Sequence, residues 1–264
     1  MTFLQELLIA LVQGITEFLP ISSSGHLILI PKLTDFPDQG PLIDVAVHVG
    51  SLLAIILYFR KDAMGLARGG FASVGLAKDD AQRRLFWFVV IGTIPAVALG
   101  LFLKMGDYLE GFRSTQLVAT NLIVFGILLG LADRLGKETK AYEDMTLRDA
   151  ILVGIAQAMA LIPGTSRSGA TMTAARALGY QRVESARFSF LLAIPAVAGA
   201  GLLAAFDLAE ATAQMQQDAI VAGILTFFTA LATMVFLMNF LKKASMMVFV
   251  IYRVALGAAL LAFL

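Results

Sequence analysis

Apolar residues run almost without interruption over positions 42–59, 85–103, 117–133, 186–206, 218–241 and 246–264. Runs of about 17–24 residues are the length a helix needs to cross the hydrocarbon layer of a bilayer. The pattern therefore predicts six transmembrane helices. Two further segments, 3–30 and 147–178, are also apolar but are broken by proline, glycine and hydroxyl residues. A broken helix persists at membrane depth only when it is buried in protein or lines a wet cavity, so each predicts a re-entrant helical hairpin. The alternating segments of about ten residues that mark a membrane β-barrel do not occur. The expected fold is an all-α polytopic membrane protein.

Lysine and arginine concentrate in cytoplasmic loops. With the 60–84 loop inside, the connections at 134–148, 176–187 and 242–243 fall inside too. These four hold six, four, three and two basic residues, 15 of the 20 in the chain. Lys32, Lys104 and Arg113 fall outside, and Arg167 and Arg253 lie at membrane depth. In this topology segment 3–30 enters from outside and segment 147–178 from inside. Gly25 and Gly169, one in each break, are 144 residues apart, as are the starts of the following spans at 42 and 186. That spacing predicts an inverted-topology repeat in a single integral membrane domain, one copy over about 1–135 and the other over about 146–264, with the breaks meeting near the midplane. The pentapeptide IPAVA recurs at 94–98 and 194–198. Its offset of 100 falls on two spans running the same way, which fits coincidence or a shared packing need.

Composition agrees: 59% of residues are hydrophobic and 15% charged, against roughly a quarter charged in soluble domains. A net charge of +1 without a basic tail gives no reason to expect nucleic acid as a partner. The absence of cysteine excludes disulfides, thiolate metal ligands and a cysteine nucleophile. No lysine or arginine precedes Lys32, so the basic start of a signal peptide is missing. The first apolar segment is expected to be retained.

The chemistry sits in the breaks. Gln13 and Glu17 are four residues apart and share a helix face; a glutamate at membrane depth is costly unless paired, hydrated or bound to a cation. Pro20 then ends the helix, and Ser22, Ser23, Ser24, Gly25 and His26 form a turn whose hydroxyls and free N–H groups suit an anion. The second break reads IPGTSRSGAT over 162–171 and surrounds Arg167 with Thr165, Ser166, Ser168 and Thr171. Arginine is well shaped to hold phosphate oxygens in pairs; a structural ion pair with Glu17 is the alternative reading of Arg167, and the four hydroxyls around it favour the anion site. Together the breaks can perform phosphoryl transfer: Arg167 holds the charge, a hydroxyl or imidazole attacks, and a hard divalent cation, Mg²⁺ or Ca²⁺, bridges carboxylate and phosphate.

QGITEFLPISSSGH over 13–26 and PGTSRSG over 163–169 resemble the two signature motifs of the bacterial undecaprenyl-diphosphatases, also called the bacitracin-resistance family. The resemblance extends along essentially the whole chain, including FSFLLAIP after the second motif and the Tyr-Arg pair of the last span. It implies an inner-membrane enzyme, open to the outer face, that hydrolyses undecaprenyl diphosphate and recycles the lipid carrier of cell-wall synthesis. Family members fold as an inverted repeat of six spans and two re-entrant hairpins. By the same resemblance Glu17 is the metal- and diphosphate-associated acid, Ser22–Ser24 with His26 form the reactive loop, Ser166 and Arg167 bind phosphate, and Thr171 is an additional contact. Gln13 is the amide version of a position often occupied by glutamate, so it offers a cation an oxygen but no charge. The nucleophile is Ser23 with His26 as base, His26 itself, or a water activated by His26, with His26 expected to be indispensable.

Asp44 and His48 are also four apart, near the outer end of their span. Asp44 is expected at the water interface and His48 as a packing residue, ahead of a second site or proton relay. Arg253 is expected to be structural, snorkelling or neutralising a buried acid, and the charged stretch 133–149 to be a solvated connection. The leading alternative function is a transporter or flippase of polyprenyl phosphate lipids, since inverted repeats with broken helices are a transporter design. Acid-phosphatase-like lipid phosphatases are disfavoured, because no histidine follows Arg167. The implied partners are a polyprenyl diphosphate lipid, the bilayer and a second copy of the chain as a homodimer.

Overall fold

The structure, a computed structural model, describes residues 1–34, 36, 39–76, 78–106 and 114–263. Arg113, expected in an outer connection, lies outside them. Eleven α-helices follow one another among these residues: α1 Phe3–Thr16, α2 Ser23–Leu33, α3 Pro41–Tyr58, α4 Arg60–Ser73, α5 Asp80–Met105, α6 Thr115–Leu135, α7 Leu147–Met159, α8 Arg167–Ala177, α9 Arg182–Glu210, α10 Ala213–Leu241 and α11 Met247–Phe263. Side-chain caps fix several starts. Thr2 and Thr146 close capping boxes on α1 and α7, while Asp79 and Thr212 cap α5 and α10.

Five helices, α3, α5, α6, α9 and α10, are long and apolar enough to cross a membrane. The sixth apolar run forms α11, whose 17 residues extend about 25 Å. This is a multi-pass helical membrane protein. Its outward residues agree: Leu53, Val97, Leu101, Phe228, Phe236 and Ile251 are exposed, an arrangement that suits lipid rather than water. Between helices, small residues permit close approach. A Cβ on Gly14 of α1 would collide with Thr229 of α10, and one on Gly154 of α7 with the backbone of Gly92 on α5.

The contacts pair off in a regular way. The short helix α1 lies on α10 and α7 lies on α5; α3 packs against α10 and α9 against α5; α3 meets α9, and α6 meets α11. Each short segment thus lies against a long helix, α1 on α10 and α7 on α5, with α2 and α8 following each break. Phe18 and Phe190, both without exposure, meet edge to face at 5.3 Å and join the first break to α9. The two IPAVA segments place Pro95 and Pro195 inside α5 and α9.

The charged stretch 133–149 is solvated over most of its charged residues, with Arg134, Lys137, Glu138, Glu143, Asp144 and Arg148 exposed, but Asp133 and Asp149 are buried. Asp133 is 2% exposed and Arg176 not at all. Asp133 accepts from Arg176, from Arg182 at 2.7 Å and from the Met246 N–H at 3.0 Å. Arg176 also reaches the carbonyls of Asp133 and Gly136. The cause lies at the end of α6, whose last carbonyls have no intrahelical partner, and the buried guanidinium of Arg176 on α8 serves them. Nearby, the Tyr180 hydroxyl donates to Asp149 at 2.7 Å. Burial, then the Asp149 carboxylate, push this phenol well above its ordinary range, so it remains a donor.

Candidate active site

Each break is built the same way. After α1 the chain turns through Phe18–Ile21, and Ser22 takes φ +76° before α2 begins. After α7 it turns through Pro163 and Gly164, and Ser166 takes φ +71° before α8 begins. These are the two non-glycine residues with positive φ among the described residues, and they too are 144 positions apart. Such a conformation costs about 1–3 kcal/mol and persists only where the surroundings impose it. Both serines cap the helix that follows: Ser22 Oγ accepts from the Gly25 N–H at 3.4 Å, and Ser166 Oγ from the Gly169 N–H at 3.1 Å. Ser22 lies 3.3 Å from the Ser24 hydroxyl, and Ser166 lies 3.2 Å from that of Ser168. Ser166 and Ser168 are buried, while Ser24 is exposed.

The two breaks meet at Glu17, which is 7% exposed. Its Oε1 accepts from Arg167 Nη2 at 2.6 Å. Its Oε2 accepts from Ser23 Oγ at 2.7 Å and from Gln13 Nε2 at 3.1 Å. Residues from both ends of the chain thus converge on one carboxylate. Arg167 also points Nη1 at the Ser189 carbonyl, 3.4 Å away. Thr171 bonds the Ser189 hydroxyl at 2.6 Å and returns to the Arg167 carbonyl. Ser168 Oγ donates to the Leu19 carbonyl at 3.2 Å, a second link between the breaks.

His26 occupies a different place. Its Nδ1 lies 2.7 Å from the Ser22 carbonyl and therefore donates; its Nε2, 2.6 Å from the Tyr252 hydroxyl, accepts. The two rings stack with an 8° interplanar angle. Each imidazole nitrogen thus has a partner, and neither partner is Glu17, Ser23 or Arg167.

Four participants lie outside the set of site residues expected from the sequence. His48 reaches across from α3 to place Nε2 3.6 Å from Glu17 Oε2. Tyr252 orients His26. Ser189 supports Arg167 and Thr171. Arg253 has the structural role expected of it, by a different means: fully buried, it donates to the carbonyls of Pro20, Gly164 and Thr165, and to Asn121 and Leu122 on α6. It neither snorkels nor neutralises an acid. A broken helix leaves carbonyls without partners at membrane depth, and one guanidinium serves those of both breaks. The Tyr-Arg pair was the one sequence signal for these contacts.

Two buried oxygens in the site have no partner, Gln13 Oε1 and Thr165 Oγ1. Among the described residues no three of His, Cys, Asp and Glu gather as a metal-binding set. A cation here would rest on Glu17 and the free amide oxygen of Gln13, completed by oxygens of a bound phosphate. Mg²⁺ is commonly held in this way.

Fold and site define a multi-pass helical membrane protein whose interior polar centre, built at two helix breaks, combines a carboxylate, a guanidinium and hydroxyls. The chain belongs to the bacitracin resistance protein BacA family, whose sequence profile matches residues 6–259. It is 66% identical to an undecaprenyl-diphosphatase of Erythrobacter litoralis, with the whole of both chains covered. It is 46% identical to the undecaprenyl-diphosphatases of Idiomarina loihiensis, covering 98% of each chain, and of Alteromonas mediterranea, covering 100% of this chain and 99% of the relative.

Proposed function

We propose that this protein hydrolyses undecaprenyl diphosphate to undecaprenyl phosphate and inorganic phosphate, which recycles the lipid carrier of peptidoglycan synthesis and confers bacitracin resistance. The observation that carries the reading is the convergence of Ser23 and Arg167 on Glu17, within a chain that matches diphosphatases along its full length.

Ser23 is the nucleophile in this scheme. Its hydroxyl already donates to Glu17, so Glu17, rather than His26, is the base that takes the proton as Oγ attacks the terminal phosphorus. The bond to the bridging oxygen breaks, undecaprenyl phosphate leaves, and water then releases phosphate from Ser23. Arg167 exchanges part of its pairing with Glu17 for the phosphate oxygens and carries their developing charge. α2 and α8 begin at Ser23 and Arg167, the residues that meet on Glu17, and Thr165, Ser166, Ser168, Thr171, Ser22 and Ser24 add a hydroxyl-rich lining. His26 holds the Ser22 carbonyl and so sets the loop that presents Ser23. A divalent cation, Mg²⁺ or Ca²⁺, fits at Glu17 and Gln13, where Gln13 Oε1 has no other partner; when bound it would neutralise diphosphate charge.

Six spans, two re-entrant hairpins and an inverted repeat over about 1–135 and 146–264 are supported by the paired contacts, α1 on α10 with α7 on α5, and by the matching backbone at Ser22 and Ser166. The basic loops support an inner-membrane orientation with the site open to the periplasm.

Purified protein in detergent with undecaprenyl diphosphate and Mg²⁺ is expected to release one phosphate per lipid, with release lost on chelation. Binding without release would favour the carrier alternative. Chelator-insensitive turnover would remove the cation, and a His26→Ala variant with near-full turnover would remove His26.

A further inference from the structure

We propose that His48 supplies a nitrogen ligand, through Nε2, to a divalent cation held jointly with Glu17 and the Gln13 amide oxygen. This rests on the cation reading above and adds a ligand that neither break contains.

The argument begins with the ring's orientation. His48 Nδ1 lies 2.6 Å from the Asp44 carbonyl, one turn earlier on α3. A carbonyl only accepts, so Nδ1 carries a hydrogen, and Nε2 is the nitrogen left to face Glu17. Nε2 faces Glu17 Oε2 at 3.6 Å, too long for a hydrogen bond but within reach of a shared positive charge. A ring proton would make this contact an ion pair, and a cation bound between the two atoms would serve the same carboxylate oxygen. Ligands that sit side by side on a cation at about 2.1–2.5 Å stand roughly 3–3.5 Å apart, close to the separation found. A backbone carbonyl on the other ring nitrogen is the usual device for orienting a metal-binding histidine.

Gln13 gives the independent observation. It has no exposure, its amide lies against the same Oε2 through Nε2, and its Oε1 has no partner. A buried carbonyl oxygen without a donor is costly. A half-turn of the amide would bring Oε1 to the Oε2 side, where it is favourable only with a cation present. Arg167 engages the other carboxylate oxygen, so the cation would share Oε2 with the Ser23 hydroxyl alone once the amide has turned. A charged carboxylate, an imidazole and an amide then make up three protein ligands, and diphosphate oxygens can fill the rest. A nitrogen ligand also widens metal tolerance from Mg²⁺ and Ca²⁺ towards Mn²⁺ and Co²⁺.

The test uses the full chain in detergent with Mn²⁺ as probe, in the presence of methylenediphosphonate, a diphosphate that resists hydrolysis. Pulsed electron paramagnetic resonance is expected to show a directly bound imidazole nitrogen. The signal should vanish in His48→Gln and persist in His26→Gln, the only other histidine variant available in this chain. Mn²⁺ affinity should fall about 10-fold or more in His48→Gln, with an unchanged unfolding temperature showing that the variant folds. If Mn²⁺ is held by the parent protein and released by Glu17→Gln, yet no nitrogen is coupled, His48 is not a ligand and the cation reading stands. Coupling that survives in His48→Gln also defeats the proposal. Mn²⁺ held no better by the parent than by Glu17→Gln overturns both.

Discussion

The two helix breaks have nearly the same backbone and different chemistry. At each, a serine with positive φ caps a helix through the N–H three residues on and pairs with the hydroxyl two residues on. Shifting the first break by 144 positions places Gln13 on Gln157, Glu17 on Leu161, Ser23 on Arg167 and His26 on Ala170. One break offers a carboxylate and a hydroxyl, and the other offers a guanidinium. The geometry that turns the chain at membrane depth is therefore common to both, while the reactive groups are divided between them. Neither break is a site alone; Glu17 is reached by both.

The largest effect tests that division. Glu17→Gln keeps the shape but leaves one accepting oxygen where there were two, and it removes the base and the charge facing Arg167, so phosphate release should fall about 10³-fold or more. Arg167→Lys keeps a charge but loses the two-pronged guanidinium, and release should fall about 10²-fold. Because both variants act on the same pair, the double variant should lose far less than the product of the two. Multiplicative losses in steady-state assays would show that the breaks contribute independently.

Much of this arrangement was legible in the residue pattern. The hydroxyl-rich interruptions at 20–26 and 163–169, their 144-residue offset and the grouping of Glu17, Ser23 and Arg167 all follow from periodicity and from the cost of polar groups at depth. What was not legible depends on how helices far apart in sequence rotate against one another. His48 reads as a packing residue until α3 turns it towards Glu17. Arg253 reads as a span residue near water until the unpaired carbonyls of both breaks fall beside it. Asp133 reads as part of a solvated loop until the end of α8 brings Arg176 to it. In each case the partner is a backbone group or a side chain whose position depends on packing, which local pattern does not encode.

A smaller effect separates scaffold from chemistry within the matched pair of glutamines. Gln13 and Gln157 are both buried with a free amide oxygen, but Gln13 bonds Glu17 whereas Gln157 points at the Gly92 carbonyl. Gln13→Ala should lower turnover about 10-fold and raise the Mg²⁺ needed for half-maximal rate. Gln157→Ala should leave the Mg²⁺ dependence unchanged and appear only in thermal unfolding. A change in Mg²⁺ dependence in Gln157→Ala would mean that the second break shares the cation chemistry.

The smallest effect bears on the strain itself. Backbone strain at a reactive loop invites a catalytic interpretation, but here it recurs at Ser166, whose own hydroxyl is used in capping. If the strain comes from turning the chain, relieving it should stabilise both halves alike. Glycine removes the positive-φ penalty and loses only a few tenths of a kcal/mol of capping, whereas alanine keeps the penalty and loses about 1 kcal/mol. Ser22→Gly and Ser166→Gly should each gain about 1 kcal/mol, and the alanine variants should each lose about as much, read from unfolding in detergent. A gain at Ser166 with a loss at Ser22 would show that the first break is held by something besides the turn, and His26, bonded to the Ser22 carbonyl, would be the first group to remove in testing it.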